Sequence, residues 1–72
     1  SRKRNIVQAR QIAMYLAQKL VKDITLARIG ECMGGKDHTT VLHSCRLVSS
    51  QLDIDKQLKE SVSAIEASLL KR

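Results

Sequence analysis

The 72-residue sequence predicts an all-α fold of about four helices with a helix-turn-helix at its centre. Three observations carry this. Apolar residues recur at spacings of three and four, and no stretch alternates long enough for a strand. Hydrophobic residues make up 43% of the chain and proline is absent, so there is a core to bury and nothing to interrupt helices. Two short periodic segments meet at Gly34-Gly35 between two longer ones, the layout of a helix-turn-helix. The length allows one domain, residues 1–72, whose small core leaves it marginally stable.

Residues 1–4 read as a basic arm. Asn5 is placed to cap a first helix over residues 5–21, in which Ile6, Ala9, Ala13, Leu16 and Leu20 share one face. Lys22, Asp23 and Ile24 form a break. Thr25 then caps a brief helix over residues 25–33 that turns Leu26, Ile29 and Met33 inward, and Gly34 and Gly35 end it. Asp37 sits where a third helix, residues 37–49, needs a capping oxygen. Val41, Leu42, Cys45 and Val48 supply its buried stripe, while Thr39, Thr40, His43, Arg46 and Leu47 point the other way. A fourth helix, residues 53–70, capped near Asp53, is expected to bury Ile54, Leu58, Val62, Ile65 and Leu69 as scaffold.

The formal charge of +6 is unevenly placed. Every unit of the excess lies at or before Arg46, carried by Arg2, Lys3, Arg4, Arg10, Lys19, Lys22, Arg28, Lys36 and Arg46 against Asp23, Glu31 and Asp37. From Leu47 onward the charges balance. A polyanion-facing surface therefore belongs to the first two-thirds of the chain. Cys32 and Cys45, on apolar stripes without a paired motif, read as buried free thiols of a reducing compartment. No apolar run approaches the ~20 residues of a membrane span, and the basic start is not followed by a signal-peptide core. A soluble, cytoplasmic protein is expected, and the start without an initiator methionine suggests a piece of a longer one.

Several constellations invite sharper readings. Gly30-Glu31-Cys32-Met33-Gly34-Gly35-Lys36 matches the G-x-x-x-x-G-K part of a phosphate-binding loop. A helix rather than a strand precedes it, and Asp37 stands where the Mg²⁺-holding hydroxyl belongs, so a turn between helices is the better reading. Cys32, His38, His43 and Cys45 lack the spacing of structural zinc sites. A chain this small cannot build a convincing cleft around a nucleophile and base, so neither enzyme activity, cofactor nor metal is expected.

Tyr15 is the sole aromatic residue, which leaves no stacking platform for single strands or RNA and favours duplex DNA as the partner. Arg2, Lys3 and Arg4 are then either a solvated end or an arm reaching a minor groove. Likewise Lys36-Asp37-His38-Thr39-Thr40 is either an N-cap with a solvated turn or a helix N-terminus entering a major groove. There a carboxylate accepts from cytosine N4 and a threonine methyl meets a thymine methyl. His43 and Arg46, further along that face, would lie near phosphates.

The run Ile29-Gly30-Glu31-Cys32-Met33-Gly34-Gly35-Lys36-Asp37-His38-Thr39-Thr40-Val41-Leu42-His43-Ser44-Cys45-Arg46 resembles the signature of the C-terminal DNA-binding domain of DnaA, the bacterial chromosomal replication initiator family. Arg2-Lys3-Arg4 and Ala9-Arg10-Gln11-Ile12-Ala13-Met14-Tyr15-Leu16-Ala17 resemble that domain's opening. The resemblance implies a Trp-repressor-like helix-turn-helix that binds nine-base-pair DnaA boxes at the replication origin as a monomer per box. It implies a minor-groove contact at Arg2 and major-groove base contacts at Asp37, His38 and Thr39. Phosphate contacts are implied at Arg10, Gln11, Thr40, His43 and the backbone of Leu26, and Lys36 and Arg46 join them as basic neighbours. His38 comes from the resemblance alone, because helical angles turn it partly inward.

The sequence departs from the family pattern at Ala27, often a proline there, at Gln18, commonly a phosphate-contacting lysine, and at Arg28, usually the acidic capping-box partner of Thr25. Lys19 and Lys22 are the basic neighbours that can replace the missing lysine. Full-length members carry an upstream ATPase domain that oligomerises, and some bind acidic lipids; this chain is expected to supply the DNA address, at the nucleoid. The rival readings are a module docking an acidic protein, and a repressor-type helix-turn-helix that dimerises on a palindrome. No exposed apolar seam for such a dimer is read from the sequence.

Overall fold

The computed structural model describes the backbone of residues 2–71 and the side chains of residues 5–71. The fold is all-α, with α1 (Arg2–Leu20), α2 (Leu26–Cys32), α3 (His38–Ile54) and α4 (Lys56–Leu70), and no strand occurs among the described residues. Helix α3 is the central element and packs against the other three. Its Val41, Cys45 and Val48 are buried together with Met14 and Leu16 of α1, Ile29 of α2 and Val62 of α4. Ile29, Val41 and Val48 are the largest fully enclosed side chains. At roughly 1.5–3 kcal/mol for each aliphatic side chain removed from water, these three go far toward fixing the position of α3.

Helix α1 begins at Arg2 rather than after a cap at Asn5, because no glycine, proline or strong capping geometry interrupts residues 2–5. The backbone of the expected arm is thus helical from Arg2. At the other end, in the turn that follows Leu20, Asp23 takes a left-handed conformation (φ 61°), which a short polar side chain tolerates better than most. The inward face also differs from the expected stripe. Met14 and Leu16 are buried, whereas Ile6, Ala9 and Ala13 are exposed. Apolar residues surround much of α1, so periodicity cannot say which side α3 will cover.

Thr25 caps α2 by accepting from the Arg28 backbone N–H at 3.0 Å, without an acidic partner at position 28. The turn after α2 is gathered on one atom. The Gly30 carbonyl accepts from the N–H groups of Met33, Gly35 and Lys36, at 3.2, 3.0 and 2.8 Å. Gly30 itself is pressed against the Lys36 carbonyl, and Gly34 and Gly35 have φ of 85° and 80°. Close packing and a left-handed turn account for the glycines of the phosphate-loop-like string.

Helix α3 continues to Ile54, beyond the expected end at residue 49, since nothing between Val48 and Ile54 breaks a helix. Asp55, not Asp53, makes the junction. Its N–H closes α3 on the Gln51 carbonyl at 2.8 Å, and its carboxylate caps α4 by accepting from the Leu58 N–H at 3.0 Å. Ile54, expected in the core, therefore ends α3 at 87% exposure. Of the stripe expected on α4, only Val62 is buried; Leu58 is half-buried, and Ile65 and Leu69 are exposed. They line an open apolar groove with Ala9, Ala13 and Leu20 of α1, so an exposed apolar seam does exist. Cys45 is buried as expected and burial pushes its thiol upward, but Cys32 is exposed at the end of α2.

Candidate nucleic-acid interface

The first turn of α3 is polar, exposed and rigidly mounted. One turn further on, Val41 is completely buried, followed by Ser44, Cys45 and Val48, so the helix cannot roll without opening the core. Leu42, expected in the same stripe, is half-buried. The opposite side presents Thr39, Thr40, His43 and Arg46 to solvent. Leu47, expected among them, is half-buried because it lies one turn from the enclosed Ser44. His38, which helical angles turned partly inward, is 63% exposed.

Asp37 holds the N-cap position with extended backbone (φ −64°, ψ 147°), but its side chain makes no capping hydrogen bond. This corrects the capping role expected from sequence. The carboxylate instead accepts from the Thr39 hydroxyl through Oδ2, and its Oδ1 lies 3.2 Å from His38 Nδ1. The Thr39 hydrogen bond holds the Asp37 carboxyl below its ordinary value, and the neighbouring His38 adds to the effect. Asp37, His38 and Thr39 thus form one exposed cluster. Sequence reasoning treated them as separate groups; the i, i+2 spacing of a carboxylate and a hydroxyl at a helix start is the signal that could have joined them.

Lys36 is exposed in the turn preceding this cluster, and Arg10 is exposed on α1. Gln11 and Leu26 are half-buried. Leu26 opens α2, where backbone N–H groups have no preceding helical carbonyl and point outward. The side chain of Arg2 lies outside the described residues. Arg28 pairs with Glu31 one turn along α2 at 3.4 Å, both well exposed. Lys19, a basic neighbour of the departure at Gln18, is bound across to α4 instead: its Nζ lies 2.9 Å from Glu66 Oε1, and that bond raises its pKa. Lys22 remains exposed in the loop after α1. Among the described residues no three His, Cys, Asp or Glu side chains converge, and His43 and Cys45 lie on opposite sides of α3. A preformed polar turn projecting from a fixed helix, with Lys36 exposed immediately before it, suits recognition of an anionic, hydrogen-bonding surface.

Comparison with known proteins places this geometry in a lineage. The family described as the bacterial dnaA protein helix-turn-helix matches residues 1–48, which include α1, α2 and most of α3. The chromosomal replication initiator protein DnaA of Bacteroides thetaiotaomicron is 51% identical over 72 residues, all of this chain and 15% of the relative. That of Bacteroides fragilis is 50% identical over the same span, again 15% of the relative. DnaA of Lactobacillus delbrueckii subsp. bulgaricus is 47% identical over 68 residues, 94% of this chain and 15% of the relative. This chain thus spans about 15% of the length of such relatives. No solved structure matches it. With two-thirds of its length matched by the family pattern and its whole length by relatives at about half identity, the chain belongs to the bacterial DnaA helix-turn-helix family.

Proposed function

We propose that this chain is a sequence-specific double-stranded DNA-binding module that reads DnaA-box sites and brings a replication initiator to the chromosomal origin. The observation that carries the reading is the 37–40 turn. It is exposed, its carboxylate is not spent on capping α3, and the helix behind it is immobilised by Val41, Cys45 and Val48. In this reading α3 enters the major groove, where Asp37, His38 and Thr39 meet base edges, and Arg2 reaches the adjacent minor groove. Arg10, Gln11, Lys36, Thr40, His43, Arg46 and the backbone N–H of Leu26 hold phosphates. With Lys19 engaged by Glu66, Lys22 is the basic side chain left to replace the lysine absent at Gln18. One chain occupies each box. The module itself performs no chemistry, and it works on the nucleoid in the cytoplasm. No described helix is long and apolar enough to cross a membrane.

Fluorescence anisotropy against a box duplex and a scrambled duplex of equal length, at two salt concentrations, tests this. The box duplex should bind more tightly, at one chain per duplex. With about five or six phosphates neutralised, log K should fall with log salt at a slope near −5. Equal affinity for the two duplexes would refute the specific reading and leave a merely basic surface.

A further inference from the structure

The Asp37–Thr39 contact has a consequence that separate base contacts do not. In an ordinary N-cap, the Asp carboxylate is held by a backbone N–H of the first turn. Here the holding group is the hydroxyl of the second helical residue, so the orientation of the carboxylate depends on the side chain at position 39. An exposed carboxylate without such a partner samples several rotamers and must lose that freedom when it meets a base. Each carboxylate oxygen accepts more than one hydrogen bond, so the Thr39 hydroxyl and the His38 imidazole leave acceptor capacity for a base amino group. The Thr39 methyl is carried on the same Cβ as the tethered hydroxyl, so fixing one fixes the other.

We infer that Asp37 and Thr39 act as one reading unit, in which the Thr39 hydroxyl is a positioning group that presets the Asp37 carboxylate for the base it reads. The inference rests on the DNA-reading proposal above. It predicts an effect at a distance: removing the Thr39 hydroxyl weakens discrimination at the base pair read by Asp37, even when the methyl remains.

The test uses Thr39→Val, which keeps the methyl and shape but loses the hydroxyl, and Thr39→Ser, which keeps the hydroxyl but loses the methyl. Asp37→Ala, measured on duplexes substituted at each position of the box, identifies the base pair that Asp37 reads. At that base pair Thr39→Val should reduce base preference roughly three- to tenfold, the scale of one hydrogen bond, while Thr39→Ser retains it. Both positions are exposed, and circular dichroism melts check that each variant is folded. In protein without DNA, carbon-detected NMR titration should show the Asp37 pKa rising in Thr39→Val and staying low in Thr39→Ser. Unchanged preference at the Asp37 base pair in Thr39→Val, or an Asp37 titration indifferent to the hydroxyl, overturns the inference while DNA reading stands. If Asp37→Ala flattens preference at no base pair, the base-reading assignment itself fails, and this inference with it.

Discussion

Replacing Gly30 with alanine should damage this domain more than its chemistry suggests. A Cβ built at Gly30 lies 2.0 Å from the Lys36 carbonyl oxygen and 3.1 Å from its carbon. The obstructing atoms are backbone, so they cannot swing aside; the turn must retreat by about 1 Å to restore the closest approach that real Cβ atoms make. Overpacking of this kind costs about 1–3 kcal/mol or more, and the better helix propensity of alanine returns only about 1 kcal/mol. A net loss at the upper end of that balance, about 2 kcal/mol, lowers Tm by roughly 8–16 °C in a domain of this size. The three N–H groups gathered on the Gly30 carbonyl move with the turn, and Lys36 leads directly into Asp37. DNA affinity should therefore fall even at temperatures where the variant is folded. Gly34→Ala is the control: φ is 85° but nothing lies within 4 Å of the new Cβ, so only the left-handed strain of about 1–2 kcal/mol applies. Thermal melts by circular dichroism compare the two, and anisotropy measures binding at 10 °C. If Gly30→Ala binds the box like the parent chain and melts no lower than Gly34→Ala, the close approach does not govern the turn.

Asp37 and Asp55 occupy equivalent positions at helix starts but should respond differently to alanine. Asp55→Ala removes a true cap and should cost about 1 kcal/mol of stability with box affinity of the folded protein unchanged, whereas Asp37→Ala should lower the denaturation midpoint less than Asp55→Ala does and relax base preference roughly tenfold at one base pair. Arg10→Ala should weaken box and scrambled duplexes alike and reduce the salt slope by about one, and a change in sequence preference would remove Arg10 from the phosphate set. The Asp37 pKa is lowered in the folded chain, so its favourable contribution is present above its ordinary value of 3.8 and is lost as pH falls through the lower folded value. Acid titration should thus show order around Thr39 persisting below pH 3.8, and an Asp37 titration at or above that value would contradict the hydrogen bond.

Legibility in the sequence followed how much each element depends on distant partners. The Thr25 cap, the glycine turn and the buried Val41, Cys45 and Val48 are local or tightly periodic, and all were readable from spacing alone. The exposed residues Thr39, Thr40, His43 and Arg46 follow as the complement of that stripe. Helix α1 was harder, because apolar side chains occur around most of its circumference and several faces look equally suited to a core. On α4 the expected stripe has the right period, but a period does not create a partner, and Ile65 and Leu69 stay exposed beside Ala9 and Ala13.

The sequence by itself determined an all-α chain, a helix-turn-helix centred on Gly34-Gly35, and a basic first two-thirds, since these depend on backbone sterics, short-range periodicity and summed charge. The family signature also lies in the sequence. Only the tertiary structure decided that Lys19 serves Glu66, that Gly30 is needed by the Lys36 carbonyl, and which face of α1 meets α3. It also decided that Asp37 turns its carboxylate to a threonine hydroxyl rather than to the helix backbone. Each of these depends on where a side chain or a carbonyl stands in space, and residue order constrains such positions only after the helices have packed.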